Sequence, residues 1–247
     1  MTSPFIGIFY TFACKNKKMR FLKAIICILA LVVVIFGCKK NDRTQDVIYD
    51  HEFVDLGLPS GTLWAKCNVG ASSQEDFGDY FAWGETTTKE IYDWKQYKFS
   101  NFVNGEYKLN KYCTDTACGV DGFADYITEL EPVDDAVIAN WGEGWRMPTS
   151  EEFNELYQNT TFEWTTINGI AGRLLTGSNG NSIFFPATGC HLDDTIICTG
   201  LGLYWSSTLQ TQWQIAAWSL HFDDTNCHVC GSYERSRGQC VRAVKRY

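Results

Sequence analysis

Residues 162–176, FEWTTINGIAGRLLT, read as a β-hairpin. Two runs rich in β-branched and aromatic residues flank Asn168-Gly169, the pair that most readily takes positive φ at both central positions of a two-residue turn. The strand pattern continues towards the C-terminus in NSIFFPA (181–187), LYWSST (203–208), AWSLHF (217–222) and CVRAVKRY (240–247), with glycine- or asparagine-bearing loops between them. In AWSLHF, Trp218, Leu220 and Phe222 alternate with polar residues, the pattern of a half-buried strand.

Towards the N-terminus the period changes. PVDDAVIANW (132–141) predicts a helix. Pro132 suits the first turn, Asp134 and Asp135 sit beside the positive dipole end, and Val133, Val137 and Trp141 share one face before Gly142 and Gly144 stop it. A second helix opens at Thr149, whose hydroxyl makes a capping box with Glu152, and Phe153, Leu156 and Tyr157 form its apolar stripe. FVDLGLPSGTLWAKCNVG (53–70) reads as a hairpin-like opening around Pro59-Ser60-Gly61, and DYFAWGE (79–85) as a strand. Residues 86–128 read as a long irregular excursion carrying Trp94, Tyr97, Phe99, Tyr107 and Tyr112. Helices in front and strands behind indicate an α+β domain, mostly antiparallel sheet with two helices and long loops.

Ahead of this domain, AIICILALVVVIFGC (24–38) follows Lys15, Lys17, Lys18, Arg20 and Lys23 and precedes a polar stretch. Its 13 apolar residues from Ala24 to Phe36 are too few for a membrane span, which needs about 20, and suit an export signal. Ile35-Phe36-Gly37-Cys38 resembles the bacterial lipobox, which implies cleavage of a signal peptide over 1–38 and acylation of Cys38 as the mature N-terminus. Met19 is the expected start, because MRFLK then leads directly into the apolar run; an uncleaved anchor is the alternative reading. Residues 39–50 (KKNDRTQDVIYD) form a polar tether, and 51–247 are enough for one well-packed domain. Lys39, where some bacteria place an inner-membrane retention aspartate, points to an outer membrane lipoprotein, on the periplasmic face or at the cell surface.

Removing 1–38 takes away five of the 21 basic residues and none of the 29 acidic ones, leaving 16 against 29 and a formal charge of −13. No basic run survives. Nucleic acid is excluded as a partner, and the expected membrane attachment is through the N-terminal lipid rather than through anionic headgroups.

Eight cysteines follow Cys38, and an even count in an oxidising compartment suggests disulfides. Sequence proximity makes Cys113–Cys118 and Cys190–Cys198 candidate loop staples, although eight cysteines allow about 105 pairings. Cys67 and Cys240 fall in strand-like segments and suit burial as free thiols. Cys227-His228-Val229-Cys230 is a lone CxxC. Zinc wants four ligands, and Cys190, His191 and Cys198 are not spaced as a second pair; a redox pair belongs at a helix N-terminus, whereas this one follows a strand. Cys227 and Cys230 therefore read as a structural disulfide or as unpaired loop thiols. No metal or cofactor is expected. Asp193-Asp194 and Asp223-Asp224 offer hard oxygen ligands for calcium, but solvated loop acids are far commoner.

Several stretches carry a resemblance together: VDLGLPSGTLWAKCNVGA (54–71), GDYFAWGE (78–85), LEPVDDA (130–136), GWRMPTSEEFNEL (144–156), IFFPATG (183–189), YWSST (204–208) and GQCVRAVK (238–245). In order and across nearly the whole exported domain, they resemble the Fibrobacter succinogenes major paralogous domain of Bacteroidetes-type lipoproteins, a branch of the C-type lectin-like fold. The resemblance implies a compact α+β unit whose N- and C-terminal strands pair, with two helices and a long variable loop region. It casts Trp145, Met147, Pro148, Trp205, Arg242 and Val244 as scaffold, and it carries fold more strongly than function.

The leading functional expectation is a non-catalytic binding or adhesion module that presents loops to an extracellular glycan or protein ligand. The surface is expected from loop 190–202, loop 209–216 and the excursion 92–112, with Trp213, His191, Asp193 and Asp194 as ligand-binding candidates. Trp213, flanked by Gln210, Gln212 and Gln214, suits a sugar face and equally a turn packed on its own domain. The calcium mode of animal C-type lectins is not expected, since Glu131-Pro132-Val133 lacks the amide residue and no Trp-Asn-Asp occurs. A copper and thiol oxidase, like the formylglycine-generating relatives of the fold, is the enzymatic alternative. Cys227, Cys230 and Cys240 do not align with that enzyme's pair, and no catalytic residue is assigned. A structural subunit of a surface assembly is the third reading.

Overall fold

The computed structural model describes residues 51–246; Cys38, the signal segment and the tether lie outside the described residues. β1 (Phe53–Val54) and β2 (Leu63–Ala65) pair antiparallel across the Pro59-Ser60-Gly61 turn, and β3 is Tyr80–Phe81. The excursion is more ordered than its composition suggests. β4 (Ser100–Val103) and β5 (Glu106–Leu109) form a hairpin whose Asn104-Gly105 tip has φ of 52° and 90°, the geometry of a type I′ turn.

The first predicted helix is divided. Pro132–Asp134 is a single 3₁₀ turn, and α1 (Ala136–Trp141) starts only after Asp135. The Asp135 carboxylate accepts from Val137 N at 2.7 Å, Ile138 N at 3.1 Å and Met147 N at 2.9 Å, so it serves as the N-cap and cannot lie inside the helix. Val133 is consequently exposed rather than part of an apolar face. α2 (Ser150–Asn159) begins at the expected cap: Thr149 Oγ1 accepts from Glu152 N at 3.2 Å, and Glu152 Oε2 accepts from Thr149 N at 3.0 Å. Phe153 and Leu156 are buried, whereas Tyr157 stays exposed, so the stripe is narrower than its spacing implied.

β6 (Thr160–Ile167), β7 (Ile170–Gly177) and β8 (Ser182–Pro186) form an antiparallel meander, with Asn168 and Gly169 at φ of 50° and 87°. A short hairpin of β9 (Cys190–Leu192) and β10 (Thr195–Ile197) follows. The main sheet adds β11 (Gly202–Leu209), β12 (Ala216–Phe222), β13 (Cys227–Glu234) and β14 (Gln239–Cys240) to β3, in the order β13-β12-β11-β14-β3. All its pairings are antiparallel except β11 with β14. β15 (Val244–Lys245) pairs antiparallel with β2, Val244 opposite Trp64. CVRAVKRY is therefore two short strands in two sheets rather than one closing strand.

The architecture is α+β, mostly antiparallel sheets with two helices. Trp64, Phe81, Trp83, Phe153, Phe185, Tyr204 and Trp205 fill the core. Two of its indoles find acceptors, Trp83 Nε1 donating to Ser206 O and Trp205 Nε1 to Phe81 O, each at 2.8 Å, as buried tryptophans require. Among the described residues no helix is long and apolar enough to cross a membrane.

Candidate functional site

Trp213 lies in the β11–β12 connection, and backbone bonds fix that turn. Gln210 N donates to Ala216 O at 3.2 Å, Trp213 N to Gln210 O at 3.3 Å, and Ala216 N to Trp213 O at 2.8 Å. The flanking glutamines are clamps. Gln214 Nε2 donates to Thr114 Oγ1 at 2.7 Å and to Thr211 O at 2.6 Å while its Oε1 accepts from Thr114 N at 2.8 Å, and Gln210 Oε1 accepts from Gln212 N at 3.0 Å. Gln210 and Gln214 are accordingly buried, but the Trp213 side chain stays 48% exposed. The indole is thus half exposed and half packed, on a turn held by hydrogen bonds.

Thr114 ties this turn to the excursion, which supplies a second exposed ring. The Asp125 carboxylate accepts from Tyr112 N at 2.7 Å, Cys113 N at 2.9 Å and Ile127 N at 3.1 Å, and Tyr126 N donates to Cys113 O at 3.1 Å. That tight loop holds Tyr126 at φ 57° with the residue 67% exposed. Beneath it, the fully buried Arg235 lies over the rings of Trp83 and Tyr97 and donates from Nη1 to Tyr112 O at 3.0 Å. The turn of Trp213 is tied to Thr114 through its neighbour Gln214, and Tyr126 is tied directly to Cys113.

The other predicted site residues lie elsewhere. His191 on β9 packs between Tyr80 and Tyr92, with ring centroids 4.7 and 5.1 Å away, and burial holds its pKa below the ordinary value. Asp193 forms the hairpin tip and exchanges backbone bonds with Tyr92 at 2.9 and 3.1 Å, while Asp194 Oδ1 accepts from the Thr195 hydroxyl at 3.0 Å. Asp223 accepts from Thr225 N, the Thr225 hydroxyl and Asn226 N, and those bonds hold its pKa down to about 2. Among the described residues no hydrogen bond or ring contact joins Trp213 to His191, Asp193 or Asp194. Tyr92, Tyr97, Phe99 and Tyr112 of the excursion are core residues. The β4–β5 hairpin is a further exposed part of it, where Phe102 packs on Tyr107 at 5.0 Å and Tyr107 stacks on Trp94 at 6.3 Å.

Cys67, Cys113, Cys118, Cys190, Cys198, Cys227 and Cys240 are free thiols, so the expected Cys113–Cys118 and Cys190–Cys198 staples are not formed in this structure. The side chain of Cys230 lies outside the described residues. Burial pushes the Cys227 thiol up to about 11 and the Cys240 thiol up to about 12, away from the thiolate that metal binding or nucleophilic attack needs. Among the described residues no three His, Cys, Asp or Glu side chains converge to hold a metal ion.

One concavity escaped the sequence reading. A cleft of about 500 Å³ lies between His51-Glu52, Lys66-Cys67 and the turn 71–75, with Trp141 in its wall. His51 stacks on Trp141 at 3.7 Å, and Lys66 Nζ bonds Glu52 Oε2 at 2.7 Å. Its walls come from four separate segments, so no local spacing announces it. No family model, no curated protein and no solved structure matches this chain.

Proposed function

We propose that this chain is an exported lipoprotein, acylated at Cys38 and carried at the outer membrane, whose C-type lectin-like domain binds an extracellular glycan or protein ligand without bond-making chemistry. The domain resembles the Fibrobacter succinogenes major paralogous domain in its seven collinear blocks. The meeting of the N-terminal hairpin with the last strand, through β2 and β15, and the two short helices support that assignment. The single observation that carries the binding reading is Trp213, an indole half exposed on a turn immobilised through Gln210 and Gln214. A rigid aromatic offers contact area without loss of side-chain freedom on binding, and Tyr126 stands on the adjoining loop. The raised pKa values of Cys227 and Cys240 favour this reading over a copper and thiol oxidase.

The test is a glycan array and a pull-down from surface extracts with the lipid-free protein, residues 45–247. Trp213→Ala is expected to weaken the captured interaction about ten-fold or more, the loss of an anchor worth at least ~1.4 kcal/mol, with an unchanged melting curve. Undiminished binding by Trp213→Ala and Tyr126→Ala together would remove this surface from the account. Isolation of a stoichiometric complex from native membranes, with no glycan bound, would favour a structural subunit instead.

A further inference from the structure

Two cysteines are neighbours in space as well as in sequence. Cys190 opens β9, is wholly buried and pairs across the hairpin with Ile197, while Cys198 follows β10 directly, half-buried and at φ 54°. Leu201 N donates to Cys198 O at 3.0 Å and Gly189 N to Leu201 O at 2.8 Å, closing the chain back on itself. Because Ile197 lies opposite Cys190, Cys198 sits one residue past that partner, which makes the two cysteines neighbours across the hairpin, and the Arg237 guanidinium is close enough to act on Cys190 electrostatically. Cys113 and Cys118 flank a turn too, but the Cys113 thiol is engaged with the Asp115 carbonyl at 3.1 Å. The Cys240 thiol is wholly buried.

We propose that Cys190 and Cys198 form an oxidisable dithiol that closes to a disulfide and locks the β9–β10 hairpin. The oxidant is a small disulfide such as oxidised glutathione. Cys198, the more accessible thiol, loses its proton to solvent and attacks one sulfur of the oxidant, giving a mixed disulfide and one departing thiolate. Cys190, whose burial pushes its thiol up to about 12 against the opposing pull of the Arg237 guanidinium, gives up its proton as it attacks the Cys198 sulfur and expels the second small thiolate. Two electrons pass from the protein thiols to the oxidant, whose S–S bond is replaced by the protein's. The closed ring contains Asp193 and Asp194, so it fixes the hairpin tip whose backbone holds Tyr92. Export, as proposed above, would place the chain in an oxidising compartment, but the exchange itself is testable independently of export.

The reduced full-length chain, purified in detergent, is incubated with oxidised glutathione, alkylated, and cleaved at aspartate without reduction. Cleavage at Asp193 and Asp194 separates a fragment whose only cysteine is Cys190 (135–192) from one whose only cysteine is Cys198 (194–222). The expected result is these two fragments joined, lighter by two hydrogens than their sum and released by reductant. Cys190→Ser is expected to trap one glutathione on Cys198. Recovery of both fragments separately alkylated, or of Cys190 joined to a different cysteine, would overturn the proposal, and either outcome can be scored on the wild-type chain even if the variant fails to fold.

Discussion

Arg242 joins segments that are far apart in the chain. Wholly buried, it donates from Nε to Asn68 Oδ1 at 2.7 Å, from Nη1 to Ala65 O at 3.1 Å and Lys66 O at 2.8 Å, and from Nη2 to Phe184 O at 3.1 Å. Its charge is met by these neutral dipoles and by the Phe185 ring, 4.4 Å away. Arg242→Ala strands buried acceptors at about 1–3 kcal/mol each, so a loss of at least ~3 kcal/mol in urea unfolding is expected. Arg242→Lys should recover little of it, because a single ammonium cannot span the planar fork. Histidine gives a second test at this scale. Burial, followed by the nearby His228, holds the His221 pKa below its ordinary 6.5, and burial does the same to His191. The folded state therefore binds fewer protons than the unfolded chain. This contribution is complete above about pH 6.5 and is lost as pH falls through the folded pKa values. The urea midpoint should drop as pH falls below about 6.5, and His221→Gln should shrink that drop. Arg242 was legible as part of a closing segment, but its hub role was not, since its acceptors arise at positions 65, 66, 68 and 184.

Among the elements, turn chemistry was the most readable. Asn168-Gly169 between two β-rich runs announced β6 and β7, and Gly169 at φ 87° is where a side chain would strain the backbone. Gly169→Ala is expected to cost about 1 kcal/mol by chemical denaturation. The same dipeptide at Asn104-Gly105 went unread because its flanks, SNFV and EYKL, alternate poorly and stay mostly outside the core. Helix boundaries failed for a different reason. Either aspartate of Asp134-Asp135 could serve a helix start, and tertiary partners decided between them: Lys98, Lys111 and Tyr112 claim Asp134, while Met147 N joins the helix donors on Asp135. Asp135→Ala removes three acceptances at once, and a destabilisation of about 2–3 kcal/mol is expected, read from the same denaturation curves. The proposed aromatic surface was half legible. Trp213 stood out, whereas Tyr126 was silent because its exposure follows from a left-handed loop that Asp125 organises.

At the scale of the whole molecule, the sheet containing β1, β2 and β15 makes the first and last segments interdependent. A chain ending after Cys240 loses β15 and Arg242 together. It should lose its near-ultraviolet circular dichroism and bind a hydrophobic dye, the marks of a collapsed but unpacked state. The α+β class followed from periodicity. The five-stranded order did not, because β3 and β14 are two-residue strands with no period to detect.

The meeting of those ends has a mechanical consequence. β1 and β15 flank β2 on its two edges, and Lys245 Nζ sits 3.9 Å over the Phe53 ring, so a side chain of the first strand touches one of the last. If the module is rooted in a membrane and gripped at Trp213, tension arrives first at a two-residue strand, whose few bonds can be peeled and re-formed. The module would then give at its root, sparing the main sheet, much as a fuse yields ahead of the circuit it protects.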